Sequence, residues 1–206
     1  MSFITRAKNI LLSPGTEWTA IHAETETPQS LLGKYVIPMA LIPAIALFIG
    51  YGLIGFDAVI FRISGIKWGV TMALSSLITS LLSYFICTYV VDALAPSFSS
   101  EKNLGRSAQL VAYSYTAVWV AGILAIVPSL SIVGSLLGLY SIYLFYLGIH
   151  VMKNTPDDKR ITYMIVSAIV IIVIGLIVNV LVTRIIYAIT GNPFLPTGSL
   201  QDMRWR

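Results

Sequence analysis

Charge is what this 206-residue chain has least of. Its 13 Lys+Arg and 9 Asp+Glu make up only 11% of the residues, against about 25% in a soluble domain. Too few polar groups remain to cover a water-soluble globule, and 57% apolar residues exclude an intrinsically disordered chain. Cysteine is nearly absent. Cys87 stands alone, which excludes an internal disulfide and a multi-cysteine metal site and reads as a small buried packing residue. The two histidines, His22 and His150, have no second ligand at i+3 or i+4, so no metal site is expected. No HExxH, Walker or GxSxG pattern occurs, and Ser97, Ser99 and Ser100 have no candidate base beside them. Residues 50–55, GYGLIG, match a dinucleotide-binding fingerprint letter for letter. They end an apolar run instead of linking a strand to a helix, so the match is read as chance. Neither enzymatic activity, a cofactor nor a nucleic-acid partner is expected. The basic start, MSFITRAKNILLSPG, has too short an apolar run for a secretory signal.

Long apolar runs are what the chain does have. A membrane helix needs about 20 mostly apolar residues. Five segments qualify, at about 35–55, 68–91, 108–127, 130–152 and 161–189, none with a charge near its centre. Runs of this length satisfy their backbone only as helices. The expected fold is all-α: a polytopic membrane bundle of five transmembrane helices over residues 31–190. It is preceded by amphipathic N-terminal helices in 1–30 and followed by a loose tail, 191–206. Pro128 between the third and fourth runs predicts a tight hairpin, since proline withholds an amide donor and bars helix at the residue before it.

Lys and Arg set orientation. An N-terminus in the cytoplasm puts Arg6, Lys8, Lys34, Lys102, Arg106, Lys153, Lys159 and Arg160 inside, and Arg62, Lys67, Arg184, Arg204 and Arg206 outside. The N-terminus is expected inside and the C-terminus outside. Tyr35, Tyr89, Tyr113 and Tyr163 fall at inner ends, and Tyr51, Trp68 and Tyr187 at outer ends, as an aromatic belt requires.

Small residues mark packing faces. The second run carries Gly69, Ala73, Ser76, Ser80, Ser83 and Cys87 at spacings of three and four; the fourth carries Gly134, Gly138, Ser141, Phe145 and Gly148. These rows suit packing within one bundle first and a homodimer interface second. The fifth run is rich in Ile and Val and is expected to face lipid. In the first 30 residues, Phe3, Ile4, Ala7, Ile10 and Leu11 recur at helical spacing. Ser13 and Pro14 then open a second short helix, to about residue 24, carrying Trp18 and Ile21 on one face. Both helices would lie in the headgroup plane or under the mouth of the bundle. Asn179 is the deepest polar residue, one turn from Thr183, and reads first as an interhelical hydrogen bond and second as a transport residue.

The stretch 92–177 begins DALAPSFSSEKNLGRSAQLVAYSYTAVW and leaves the fourth run as GIHVMKNTP. It resembles the Yip family of five-span membrane proteins in its short bacterial form, as does LLSPGTEWTAIHAE near the N-terminus. The most specific parts are the 92–98 loop with Asp92 and Pro96, the entry Ala112-Tyr113-Ser114, and residues 148–156. The sequence departs from the pattern at Ala117, where many relatives place proline, and at Ser99 and Ser100, where they place glycines. The resemblance implies a bacterial cytoplasmic membrane, or a Golgi or endoplasmic-reticulum membrane in a eukaryote, and supplies no catalytic residues. Eukaryotic members act in vesicle traffic and have an acidic N-terminal region that is not seen here.

The expected function is therefore that of a non-enzymatic membrane protein organising the bilayer or protein partners, docked at loops 92–106 and 153–160. The alternative is a small-molecule or ion transporter or channel, with Tyr113, Tyr115, Trp119, Tyr140 and Tyr143 lining a cavity between the third and fourth helices.

Overall fold

The computed structural model describes residues 2–58, 61–63 and 65–190; the tail expected to be loose lies outside them. Two short helices, α1 (Phe3–Leu12) and α2 (Pro14–His22), lead into five helical spans. The spans cover Pro28–Ile54, Ile66–Phe98, Leu104–Ile126, Pro128–Lys153 and Asp157–Thr190, each long and apolar enough to cross a bilayer. Residues 28–30, assigned from sequence to the N-terminal segment, belong to the first span. That span opens on Pro28, whose missing amide costs nothing at a helix start, with the Thr27 hydroxyl capping Ser30. A strand pair, Phe56–Ala58 with Phe61–Ile63, joins the first and second spans. The Pro128 hairpin forms as expected, with Val127 extended and a single 3-10 turn at Pro128–Leu130.

The third span is interrupted without a proline. Its helix ends at Ser114, resumes over Thr116–Ala121 and tightens to 3-10 turns at Gly122–Ile126. The break falls at Tyr115, two residues before Ala117. Ser99, where the resemblance noted from sequence expects glycine, takes the left-handed backbone at φ 53°, the conformation glycine adopts at no steric cost.

The fifth span packs against the second and against residues 140–153 of the fourth. Much of its surface faces outward, as its Ile and Val content predicts. The outer aromatics assemble: Tyr51 lies 6.0 Å from Trp68, which stacks 6.4 Å from Tyr187. The inner belt does not form. Tyr35, Tyr113 and Tyr163 are buried, and only Tyr89 faces out. Their hydroxyls explain the change. Tyr35 bonds Thr116 at 2.7 Å and Tyr163 donates to the Val91 carbonyl at 2.6 Å, so these rings serve helix–helix contacts rather than the interface.

Glycines set the closest helix crossings. A Cβ on Gly69 would stand 2.5 Å from the Gly52 Cα and 2.8 Å from the Phe48 carbonyl, and one on Gly50 would stand 2.2 Å from the Ala125 carbonyl. GYGLIG is thus a packing surface that ends in a true turn, Gly55 at φ 83°. A Cβ on Gly134 would stand 3.0 Å from the Ala121 carbonyl of the same chain, while one on Gly138 would come no closer than 3.4 Å, to a Val118 methyl. Gly69→Ala is therefore expected to cost about 1–3 kcal/mol, because the obstacle is backbone and the helices must part. Gly138→Ala should be neutral, or stabilising by up to about 1 kcal/mol through helix propensity. Thermal unfolding in detergent separates the two, and equal losses would sink this account of the crossings.

Candidate functional site

The polar end of the bundle is held by two buried charge clusters. Asp92, near the end of the second span, meets Lys153, the last residue of the fourth. The Lys153 ammonium donates to Asp92 at 3.1 Å, to the Ser107 hydroxyl at 2.7 Å and to the Asn103 carbonyl at 3.2 Å. The Ser107 hydroxyl in turn donates to Asp92 at 3.0 Å. The Lys153 side chain is fully buried and that of Asp92 is 10% exposed. Each of three spans contributes a member, so the cluster ties their ends together.

Above it, loops 92–106 and 153–160 form one surface. The Glu101 amide donates to the Lys153 carbonyl at 2.8 Å, and the Asn154 amide group donates to the Glu101 carboxylate at 2.9 Å. The Ser100 hydroxyl donates to Thr155 at 2.8 Å, and Lys159 to Ser99 at 2.7 Å. Asn154 itself ends the fourth span in the left-handed region, φ 48°. Pro96 sits exposed in a 3-10 turn, its carbonyl accepting from the Ser99 amide.

The second cluster docks the N-terminal helices. Arg6 on α1 is buried and donates to Glu17 on α2 at 2.5 Å and to Glu24 beyond it. Burial alone would lower the pKa of the guanidinium. The bond to Glu24 and the surrounding negative charge raise it instead. Its guanidinium carbon stands 5.7 Å from the Tyr113 ring centroid, and Tyr113 packs edge-on against Trp18 and Tyr35. Trp18 and Ile21 are fully buried, with Trp18 pressed onto Gly148 so closely that a Cβ there would lie 2.6 Å away. The Gln109 side chain donates to the carbonyls of Ile21 and Glu24, and Arg106 also donates to Glu24. The Ile21 carbonyl also accepts from the Glu24 amide at 3.0 Å, so these side chains clasp the turn that follows α2. Of the two placements read from sequence, α2 lies under the mouth of the bundle.

A separate cleft of about 810 Å³ opens between the third, fourth and fifth spans, floored by Pro43, Leu47 and Tyr51 of the first. Tyr115 is the one member of the predicted cavity set that lines it. Tyr113 belongs to the Arg6 cluster and Trp119 is buried elsewhere, while Tyr140 and Tyr143 pack on each other at the surface. The Tyr140 hydroxyl donates to the Leu11 carbonyl. Ser114 lines the cleft at 5% exposure, its hydroxyl without a partner among the described residues. Asn179 forms no interhelical hydrogen bond among those residues; it sits exposed on the fifth span. Ser83 is buried, and Ser76 and Ser80 are half-buried along the second span.

Sequence reasoning missed both charge clusters. It took Lys153 as a topogenic loop charge and Arg6 as part of an interfacial face. The available signal was a single unmatched charge at the end of an otherwise apolar run.

Comparison with known proteins agrees with this architecture. The Yip1 domain family model matches residues 8–179. The chain is 26% identical over 155 residues to the inner membrane protein YohC of Escherichia coli K12, covering 73% of this chain and 80% of that one. The protein of the same name from Escherichia coli O6:H1 matches equally. No solved structure matches significantly. A family match that contains Asp92, Lys153 and most of the five spans leaves one conclusion: the chain belongs to the Yip1 domain family.

Proposed function

We propose that this protein is a non-enzymatic scaffold of the bacterial cytoplasmic membrane, N-terminus inside, that presents a rigid polar surface to a protein partner. One observation carries the reading. Loops 92–106 and 153–160, distant in sequence, are bonded into a single face over the buried Asp92–Lys153 pair. Holding two loops in one arrangement removes ordering cost from any later binding event. The face offers mixed charge, with Glu101, Lys102, Asp157 and Asp158 exposed. The setting rests on the likeness to an inner membrane protein and on the Lys/Arg distribution across the spans. The transport alternative finds less support, because the cleft walls are aliphatic and aromatic with a few hydroxyls, a poor lining for a hydrated ion.

Photo-crosslinkers placed at Lys102 and Asp158 in intact membranes test the reading. One discrete adduct, shared by both positions and lost on Asp157→Lys, is expected. Adducts to lipid and bulk membrane proteins alone would refute it. Impermeant labelling of single cysteines near residues 25 and 102 tests orientation; both should be protected in sealed cells.

A further inference from the structure

We infer that α1 and α2 form a re-entrant hairpin, with the Leu12–Gly15 turn set among lipid acyl chains in the leaflet next to loops 92–106 and 153–160. Depth is the first argument. About 20 residues of helix cross the hydrocarbon. Counted inward from Trp68 in the outer aromatic cluster and from the Pro128 hairpin, they end near Thr88 and Gly148. Exposed Tyr89 lies at that level, as an interfacial ring should. The later turns of α2 and the residues after it meet the same level. Trp18 presses on Gly148, the Ile21 carbonyl accepts from Gln109, and the Glu24 carbonyl accepts from Arg106. From there the other end of the hairpin runs deeper. α1 packs against Thr116–Ala121 of the third span, and its Leu11 carbonyl accepts from the Tyr140 hydroxyl at 3.0 Å. Gly148 and Tyr140 are separated by about 12 Å of helix. The turn therefore lies about 10 Å inside a leaflet whose hydrocarbon is about 15 Å deep.

Surface chemistry is the second argument. Leu12 is 71% exposed and Ile4 66%, and α2 turns Thr16, Thr19 and Ala20 outward. Lys8 is the one exposed Lys, Arg, Asp or Glu of these two helices, and its long stem can carry the ammonium to the headgroups. The Glu17 carboxylate faces inward onto buried Arg6, the pairing that charge at membrane depth requires. The outward hydroxyls bond back to local backbone carbonyls. Thr16 donates to the Ser13 carbonyl at 3.1 Å and Thr19 to the Gly15 carbonyl at 3.4 Å. Between the helices stands a single residue, Ser13. Its amide donates to the Asn9 carbonyl at 2.8 Å, and its carbonyl accepts from the Glu17 amide at 3.1 Å. In hydrocarbon no water would pair these groups. Continuity names the occupant. Tyr140 belongs to an exposed apolar belt with Leu136, Leu139 and Tyr143, so Leu12 extends a surface that already faces lipid tails. The inference rests on the membrane placement of the five spans and not on the partner surface.

The test uses the full chain in vesicles of phosphatidylethanolamine and phosphatidylglycerol. In a Cys87→Ala background, nitroxides are attached at Leu12→Cys or Thr16→Cys, with Leu136→Cys as the hydrocarbon reference and Lys102→Cys as the aqueous one. Power saturation should show both turn labels colliding with oxygen several-fold more than with a water-soluble nickel chelate, as at Leu136, and the reverse at Lys102. A single peak on size exclusion and unchanged helicity establish which labelled variants fold, and either turn position suffices. Nickel access at the turn equal to that at Lys102 would overturn the inference, because the hairpin would stand in water. Exclusion of both reagents would overturn it too, because protein rather than lipid would cover the turn. A second arm keeps Cys87. Leu12→Asp is silent at a site facing water but puts a carboxylate into hydrocarbon here. It should speed protease cutting within residues 23–27 several-fold in vesicles loaded with protease on both sides, while Leu12→Ala should not. Equal cutting of Leu12→Asp and wild type would refute the re-entrant placement.

Discussion

Lys153→Met is expected to lower the unfolding free energy of the detergent-solubilised protein by about 3–5 kcal/mol, the usual cost of stranding one partner of a buried ion pair. Asp92 would keep only the Ser107 hydroxyl, and a hydrogen bond to a charged group contributes about 1.5–3 kcal/mol, less than the loss of a buried countercharge costs. Asp92→Leu should cost a similar amount, because Lys153 would retain the Asn103 carbonyl and Ser107 as neutral acceptors but no countercharge. The double variant Asp92→Leu/Lys153→Met should recover most of the loss, since an apolar pair of similar volume is often as stable as the ion pair it replaces. Disruption of Lys34 with Glu26 is the control. Those groups stand 3.2 Å apart with Lys34 69% exposed, and such pairs contribute at most about 1 kcal/mol. Thermal unfolding followed by circular dichroism reads all four. Single variants within about 1 kcal/mol of wild type, or a double variant as poor as the sum of the singles, would refute the buried-pair reading.

Arg6→Met should produce a different failure, local rather than global. Glu24 is 45% exposed and can turn to water, but Glu17 is 8% exposed and would be left as an unpaired buried carboxylate. Keeping the helices docked would then cost about 3–5 kcal/mol. Burial of Trp18 and Ile21 opposes release by about 1.5–3 kcal/mol for each side chain. The two quantities are close, so α1 and α2 should spend a substantial fraction of time undocked while the five spans persist. Limited proteolysis should cut within residues 23–27 many-fold faster, with the main unfolding transition nearly unmoved. Glu17→Gln added to Arg6→Met should restore much of the protection. Unchanged proteolysis in the single variant would mean that apolar burial alone docks the helices. A fall of the whole transition would mean that α1 and α2 belong to the bundle's cooperative unit.

These two clusters also mark the boundary of what could be read in advance. Membrane residence, the number of spans, the Pro128 hairpin and the outward-facing fifth span followed from the sequence because each is a local property. About 20 apolar residues satisfy their backbone as a helix in lipid whatever surrounds them, and a proline at the junction of two such runs disfavours helix at the residue before it. The partners of Asp92, Arg6, Tyr35 and Tyr163 did not follow. Neither did the exposure of Asn179 or the lining of the cleft. Lipid tails are as apolar as a helix interface, so hydropathy along a span does not tell its buried side from its lipid side. Rotation and tilt decide which side chains meet, and these are set by backbone contacts such as Gly69 on Gly52 and by the helix break at Tyr115. Only the assembled bundle could bring Lys153 to Asp92 across 61 residues and leave an open slot where the fourth and fifth spans part.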